Sequence, residues 1–464
     1  MQKATTIGEL KQSGYLVLSV KEELRKNLML KMRRGEQLFP GIVGYEDTVI
    51  PQIENAILSG HDMIFLGERG QGKTRMMRSL ADLLDEEIPI IAGCEINDDP
   101  FAPICKRCRD LVNEEGDAAA IEWLPRDRRY GEKLATPDVT IADLIGEVDP
   151  IRVAEGRYLS DELTIHYGLV PRTNRGIFAM NELPDLAEKI QVGLFNIMEE
   201  RDVQVRGYKL RLPLDVYVVA SANPEDYTNR GRIITPLKDR FGSQIRTHYP
   251  KTLEHEIGIM DNERLQFQDE GHRVIVPHYM KEIIAEITNL ARHSPDVNQR
   301  SGVSVRVSIA NIENVISNAV RRAIKQGEKD ACPRVSDLPY IMASTTGKIE
   351  LESFEDGKEE HIIEKIVGKA VANVFSRYFD AARFDDVVAR FKEGMTLEVS
   401  DSMPSRSYAE RVKEMGTLVQ AISKLDKEIN PATIASAMEF VLEGLHVNRR
   451  LNKNRLAGRV QYRG

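Results

Sequence analysis

The stretch Gly67–Thr74 reads GERGQGKT and matches the phosphate-cradling pattern GxxxxGK(S/T) at every fixed position. Gly67, Gly70 and Gly72 let the backbone bend tightly and turn its N–H groups toward a polyphosphate, with Glu68, Arg69 and Gln71 completing the loop. In this pattern Lys73 reaches the β- and γ-phosphates, and the Thr74 hydroxyl ligates Mg²⁺. The flanks agree with that reading. Residues 61–66 (HDMIFL) form a short apolar run suited to a buried strand, and residues 74–84 (TRMMRSLADLL) carry helical periodicity without Gly or Pro. Strand, loop and helix thus follow in the order that a nucleoside triphosphate site needs, which a glycine-rich surface turn does not require.

At 464 residues the chain exceeds one ordinary core, so two or three domains are expected. Its hydrophobic content of 42% is that of a globular protein. A net charge of −8 counts against a protein that coats nucleic acid, because neutralising phosphates takes a basic face. No run of about 18 apolar residues offers a membrane span. The N-terminal MQKATTIGELKQSG lacks the apolar core of a signal peptide, so the cytoplasm is the expected compartment. Four cysteines in so long a chain do not make a disulfide framework.

Residues 1–38 read as a polar, helical N-terminal extension, most periodic over 20–34. FPGIVG (39–44) introduces a helix over 46–58, and residues 88–92 form a further strand-like run. The segment 93–137 is rich in charge and poor in periodicity, which predicts an insertion or surface excursion. GIFAM (176–180) and VYVVA (216–220) are strand-like, separated by a helical stretch over 186–200 and a hairpin-like one over 203–212. Strands alternating with helices predict an α/β fold with a largely parallel sheet covered on both faces. Beyond residue 250 helical spacing dominates, over 279–292, 309–325 and 362–379, then over 408–424 and 432–442 after a Ser/Pro-rich break.

The remaining parts of a hydrolytic site are expected at the ends of such strands. Asn181 and Glu182 follow GIFAM, where P-loop ATPases usually carry Asp then Glu, the first holding Mg²⁺ through its waters and the second polarising the attacking water. An amide at 181 still accepts a hydrogen bond from a metal-bound water but brings no negative charge. A helix-capping Asn-Glu pair is the structural alternative. Asn223, at the tip of the next strand, is placed to orient water and sense the γ-phosphate, or else to form an Asx-turn. Arg240 in PLKDRFG is placed to act as an arginine finger on a neighbouring subunit's nucleotide.

The succession IVG, GERGQGKT, NRGIFAMNELPDL, VVASANPEDY and PLKDRFG resembles the AAA+ ATPases of the magnesium chelatase I-subunit and MoxR group over about residues 38–350. The resemblance implies a P-loop AAA+ core over 39–250 with a helix-2 insert over about 144–170, an α-helical lid over 251–350 and extra C-terminal helices over 351–464. It further implies Val43 and Arg75 as nucleotide contacts, and Arg306 in SGVSVRVSIANIE as a second sensor at a lid-helix N-terminus. It also implies ATP and Mg²⁺ as cofactors, a hexameric ring and a partner carrying a von Willebrand A-type domain. A DNA-directed ATPase and a nucleotide-binding scaffold with weak hydrolysis are the alternatives.

Two features stand outside this scheme. Cys94, Cys105 and Cys108 in GCEINDDPFAPICKRC are either reduced thiols or zinc ligands, with no fourth ligand evident from the spacing. The tail 445–464 carries six Arg or Lys and no acid, and reads as a solvated basic tail or a docking segment.

Overall fold

Five strands form one parallel sheet in the computed structural model: Met63–Leu66 (β1), Tyr130–Leu134 (β2), Gly176–Asn181 (β3), Val216–Ala222 (β4) and Ser243–Arg246 (β5), in the order β2-β3-β4-β1-β5. The structure describes residues 3–149, 151, 154, 161–200, 212–223, 231–267, 271–298, 301–351, 358–412, 415–426, 428–456 and 459–464. Two units make up the chain, Met1–His248 and Tyr249–Gly464.

The sheet belongs to the first unit. Every residue of β3 and β4 is buried, as their continuous apolar runs require of central parallel strands. Alternate side chains of β3 serve opposite faces. Ile177 and Ala179 pack with Val20, Leu24, Val49 and Ile53 from the helices Val20–Arg34 and Val49–Leu58. Phe178 and Met180 pack with Ile190 and Leu194 from the helix Glu188–Glu200. In the ladder Leu66 lies beside Ala222, and Met180 beside Ala220. The carboxyl ends of β1, β3 and β4 are therefore side by side, and the phosphate-pattern loop leaves from the first of them.

Three sequence expectations are revised here. The stretch 93–137 is no excursion, since it contains edge strand β2, the strand Ile121–Pro125 that pairs antiparallel with Glu87–Ile91, and the helix Lys106–Glu115. Only Gly131 of β2 is fully buried, so the strand lacks the apolar run that marks its neighbours. The N-terminal helix is integral to the unit. Its Glu23 lies inside the core and meets Arg129 through two bonds of 2.7 and 2.6 Å, while Arg129 Nε donates to the Arg175 carbonyl at 2.8 Å. Residues 203–211 of the hairpin-like stretch and part of the expected insert over 144–170 lie outside the described residues, and the described part of that insert carries an antiparallel pair, Gly146–Val148 with Ile165–Tyr167.

The second unit is mainly helical. Its helices include Leu253–Glu263, His278–Arg292, Arg306–Gln326, Lys358–Tyr378 and Pro431–Val447, and residues on both sides of 350 share one core. The basic tail is a third revision. Asn452–Leu456 and Arg459–Arg463 are paired strands that add to Leu397–Val399, with Tyr462 buried. Its cations find acids: Lys453 meets Glu443 at 2.8 Å, Arg455 meets Glu364 at 2.8 Å and Arg459 meets Glu398 at 3.5 Å. The tail is thus charge-matched structure.

The buried Glu23–Arg129 pair gives a direct test of the N-terminal helix. Removing one partner leaves an uncompensated ion in the core, so Arg129→Met should cost about 3–5 kcal/mol in urea unfolding. The double variant Glu23→Met/Arg129→Met should recover most of that loss. A single variant with unchanged unfolding would show that the helix is peripheral.

Candidate nucleotide site

The loop Gly67–Gly72 closes on itself at the end of β1. A Cβ at Gly67 would press on the Thr247 hydroxyl and the Gln71 side-chain amide, so a larger residue there would displace both. Those two side chains hydrogen-bond to each other at 2.6 Å, tying the loop to the residue after β5. Gly70 and Gly72 both have φ near +75°, at 76° and 73°, where glycine is unstrained. Gly72 then caps the helix Lys73–Ser79. The Tyr45 hydroxyl shares its proton between the carbonyls of Gln71 at 2.9 Å and His248 at 2.7 Å. Burial pushes this phenol up to about 12, which keeps it a donor.

Four of the sequence-predicted residues come together here. The Lys73 ammonium is buried and donates to Asn223 Oδ1 at 2.7 Å, to the Glu68 carbonyl at 2.8 Å and to the Gly67 carbonyl. The Thr74 hydroxyl donates to Asn181 Oδ1 at 3.0 Å, and Ser221 Oγ donates to the same oxygen at 3.1 Å. Lysine, hydroxyls and amides from three strand ends thus converge. Glu182 stands beside them with its N–H bonded to Ser221 Oγ at 3.3 Å. Its backbone is left-handed, with φ 53° and ψ 47°, an uncommon state for glutamate that carries strain of about 1–3 kcal/mol.

Sequence reasoning missed Glu132. Asn181 Nδ2 donates to Glu132 Oε1 at 2.8 Å, and Arg78 grips the same carboxylate through Nε at 2.7 Å and Nη2 at 2.8 Å. The Arg78 guanidinium holds the Glu132 carboxyl below its ordinary range, against the opposing effect of burial. A negative charge therefore does lie beside position 181, supplied from β2. Ser221 and Tyr45 were missed as well, the former inside the motif VVASAN and the latter two residues after Val43.

The other predicted residues are placed separately. Val43 lies half-buried in the loop before Tyr45, and Arg75 is exposed with its guanidinium over Gly41. Arg69 is exposed at the loop tip. Arg240 ends the helix Thr235–Arg240, where it pairs with Glu199 and stacks over Phe195 at 5.2 Å. Arg306 is the exposed first residue of the helix Arg306–Gln326 in the second unit.

No protein-family model matches the chain. It is 26% identical to the magnesium-chelatase subunit ChlI of Nostoc sp. over 71% of this chain and 90% of that protein. With ChlI of Synechocystis sp. the identity is 25%, over 73% of this chain and 96% of the relative. The resemblance to the magnesium chelatase I-subunit drawn from the motifs is borne out by these relatives. A solved magnesium-chelatase BchI–BchD complex is 18% identical, covering 70% of this chain and 98% of its own with a TM-score of 0.36. No helix among the described residues is long and apolar enough to cross a membrane.

The Asn181–Glu132 bond makes a specific prediction. Asn181→Asp replaces a donor with a second carboxylate against Glu132, so one of the two must take up a proton at an unusually high pH. The variant should lose about 1–3 kcal/mol at neutral pH. This loss should shrink as pH falls and the pair protonates, and Asn181→Asp/Glu132→Gln should restore stability. Thermal unfolding across pH checks it, and an Asn181→Asp protein with wild-type stability throughout would contradict it.

Proposed function

We propose that this chain is an AAA+ motor that binds and hydrolyses ATP in a ring of like subunits, resembling the magnesium-chelatase I subunit. The observation that carries the reading is the convergence of Lys73, Thr74, Asn181, Ser221 and Asn223 at the carboxyl ends of β1, β3 and β4, where open parallel sheets bind ligands. The relatives named as magnesium-chelatase subunits support it.

In this reading the amides from Gly67 to Thr74 cradle the phosphates, with Val43 and Arg75 at the nucleotide's edge. Lys73 exchanges its carbonyl partners for phosphate oxygens. Thr74 and Asn181 are the residues that would hold Mg²⁺, directly and through water, and Glu132 contributes the negative charge that an amide at 181 lacks. Bound there, Mg²⁺ supplies neutralisation of the β- and γ-phosphate charge. Glu182 polarises the attacking water, its strained backbone fixing the carboxylate's approach. Asn223, whose oxygen faces Lys73, retains an N–H₂ donor for water or the γ-phosphate.

Arg240 acts in trans, leaving Glu199 for a neighbour's γ-phosphate, so one subunit holds an incomplete site. Residues 251–350 serve as the lid, with Arg306 as its sensor. The ring is a cytoplasmic hexamer that engages a von Willebrand A-type partner to remodel it or to assist metal insertion. A nucleotide-binding scaffold with slow hydrolysis is the second reading, favoured by the amide at 181.

Steady-state phosphate release separates the two. Glu182→Gln should slow turnover by roughly a hundredfold or more while retaining ATP binding. Arg240→Ala should lower it by roughly a thousandfold. Mixing Arg240→Ala with Lys73→Ala subunits should restore activity, since some interfaces then carry both intact halves. Wild-type turnover in Glu182→Gln would remove the assigned base, and no complementation at any mixing ratio would remove the shared site.

A further inference from the structure

The fourth ligand absent from the cysteine spacing is present in the fold. Cys94 follows the strand Glu87–Ile91, Cys105 caps the helix Lys106–Glu115, and Cys108 lies on its first turn. Between them the chain turns back at Asn97, whose φ of 56° is left-handed, and this brings Asp98 against the thiols. One sulfur from each cysteine and one oxygen from Asp98 all lie within 4.8 Å of one another, and all four residues are buried. We propose that Cys94, Asp98, Cys105 and Cys108 form a structural Zn²⁺ site in the first unit.

The carboxylate decides between the two readings of the cysteines. Asp98 has no exposed surface, and one of its oxygens, Oδ2, accepts the Cys105 N–H at 3.0 Å. The other, Oδ1, is buried without a hydrogen-bond partner. An anionic group in an apolar core is costly unless a cation or donors meet it. Ile91, Ile96, Leu144 and Tyr167 belong to the same buried apolar cluster as the three cysteines. A disulfide between Cys105 and Cys108 would leave both Cys94 and Asp98 unexplained, and all four cysteines of the chain are free thiols here.

Three sulfurs and one oxygen suit a borderline-soft ion with tetrahedral preference. Zn–S bonds of about 2.3 Å put two sulfurs about 3.7 Å apart, so the cluster needs to contract by only about 1 Å. Binding would release the thiol protons. Main-chain donors are already aimed at the resulting thiolates: the Asp98 N–H reaches Cys94 Sγ at 3.3 Å and the Cys108 N–H reaches Cys105 Sγ at 3.4 Å. Arg107 donates to the Gly93 carbonyl and closes the loop from outside.

The site braces more than its own loop. Asn97 Nδ2 donates to the carbonyls of Arg172 at 2.8 Å and Asn174 at 3.3 Å, and Asn174 Nδ2 returns a bond to the Ile96 carbonyl at 3.0 Å. These carbonyls immediately precede β3, which ends in Asn181. Zinc at this site holds the segment from which β3 enters the sheet.

Metal analysis of the purified, untagged full chain tests the proposal. Wild type should carry one zinc per chain, while Cys94→Ser and Asp98→Ala should each lower metal affinity by at least about tenfold. Because such variants can fold poorly, the wild-type protein provides an independent arm. Its zinc, exchanged for Co²⁺, should give thiolate charge-transfer absorption and tetrahedral visible bands. Folded wild type lacking bound metal after growth with zinc, or an intact mass showing a Cys105–Cys108 disulfide, would overturn the site.

Discussion

Asn181 Oδ1 receives two hydroxyls, from Thr74 and Ser221, while its Nδ2 donates to Glu132. Through one side chain the phosphate-pattern loop is joined to β4, to its own strand β3 and to edge strand β2. Lys73 and Asn223 make the corresponding link between the loop and the tip of β4. Each bond is worth only about 1 kcal/mol net, yet Lys73, Asn181, Ser221 and Asn223 are buried, and leaving one of them unmatched costs more than making its bond gains. The arrangement of the proposed nucleotide site is therefore fixed by mutual satisfaction of polar groups at three level strand ends.

The exchange of the usual aspartate for Asn181 reads differently once Glu132 is seen. An aspartate in that position would face Glu132 as a like charge, whereas the amide bridges it as a donor. The acid on β2, neutralised in part by Arg78, keeps negative charge near the hydroxyl of Thr74. Charge is relocated by one strand, and the pairing explains why an amide is stable at 181.

Much of this was legible from residues alone. β1, β3 and β4 stand out because central parallel strands must be apolar on both faces, and the helix Val20–Arg34 stands out by its periodicity. β2 did not, because YGEKL buries one glycine and carries the acid that the site uses. The terminal strands were hidden by charge, since Arg455 and Arg459 are matched by acids more than sixty residues away in sequence. Asp98 was hidden for a related reason. Only the left-handed turn at Asn97 carries it back toward Cys94, and one-dimensional spacing does not show that turn.

The central claim is that Lys73 gives up its contacts with the loop carbonyls for the phosphates of a bound nucleotide. Isothermal titration of wild type and Lys73→Ala with Mg·ATP tests it most directly, because it requires neither a ring nor a partner. The account predicts one ATP bound per wild-type chain and an affinity at least about tenfold weaker for Lys73→Ala, in line with loss of a charge-assisted contact. Equal affinity in the two proteins, or no binding by folded wild type, would contradict it.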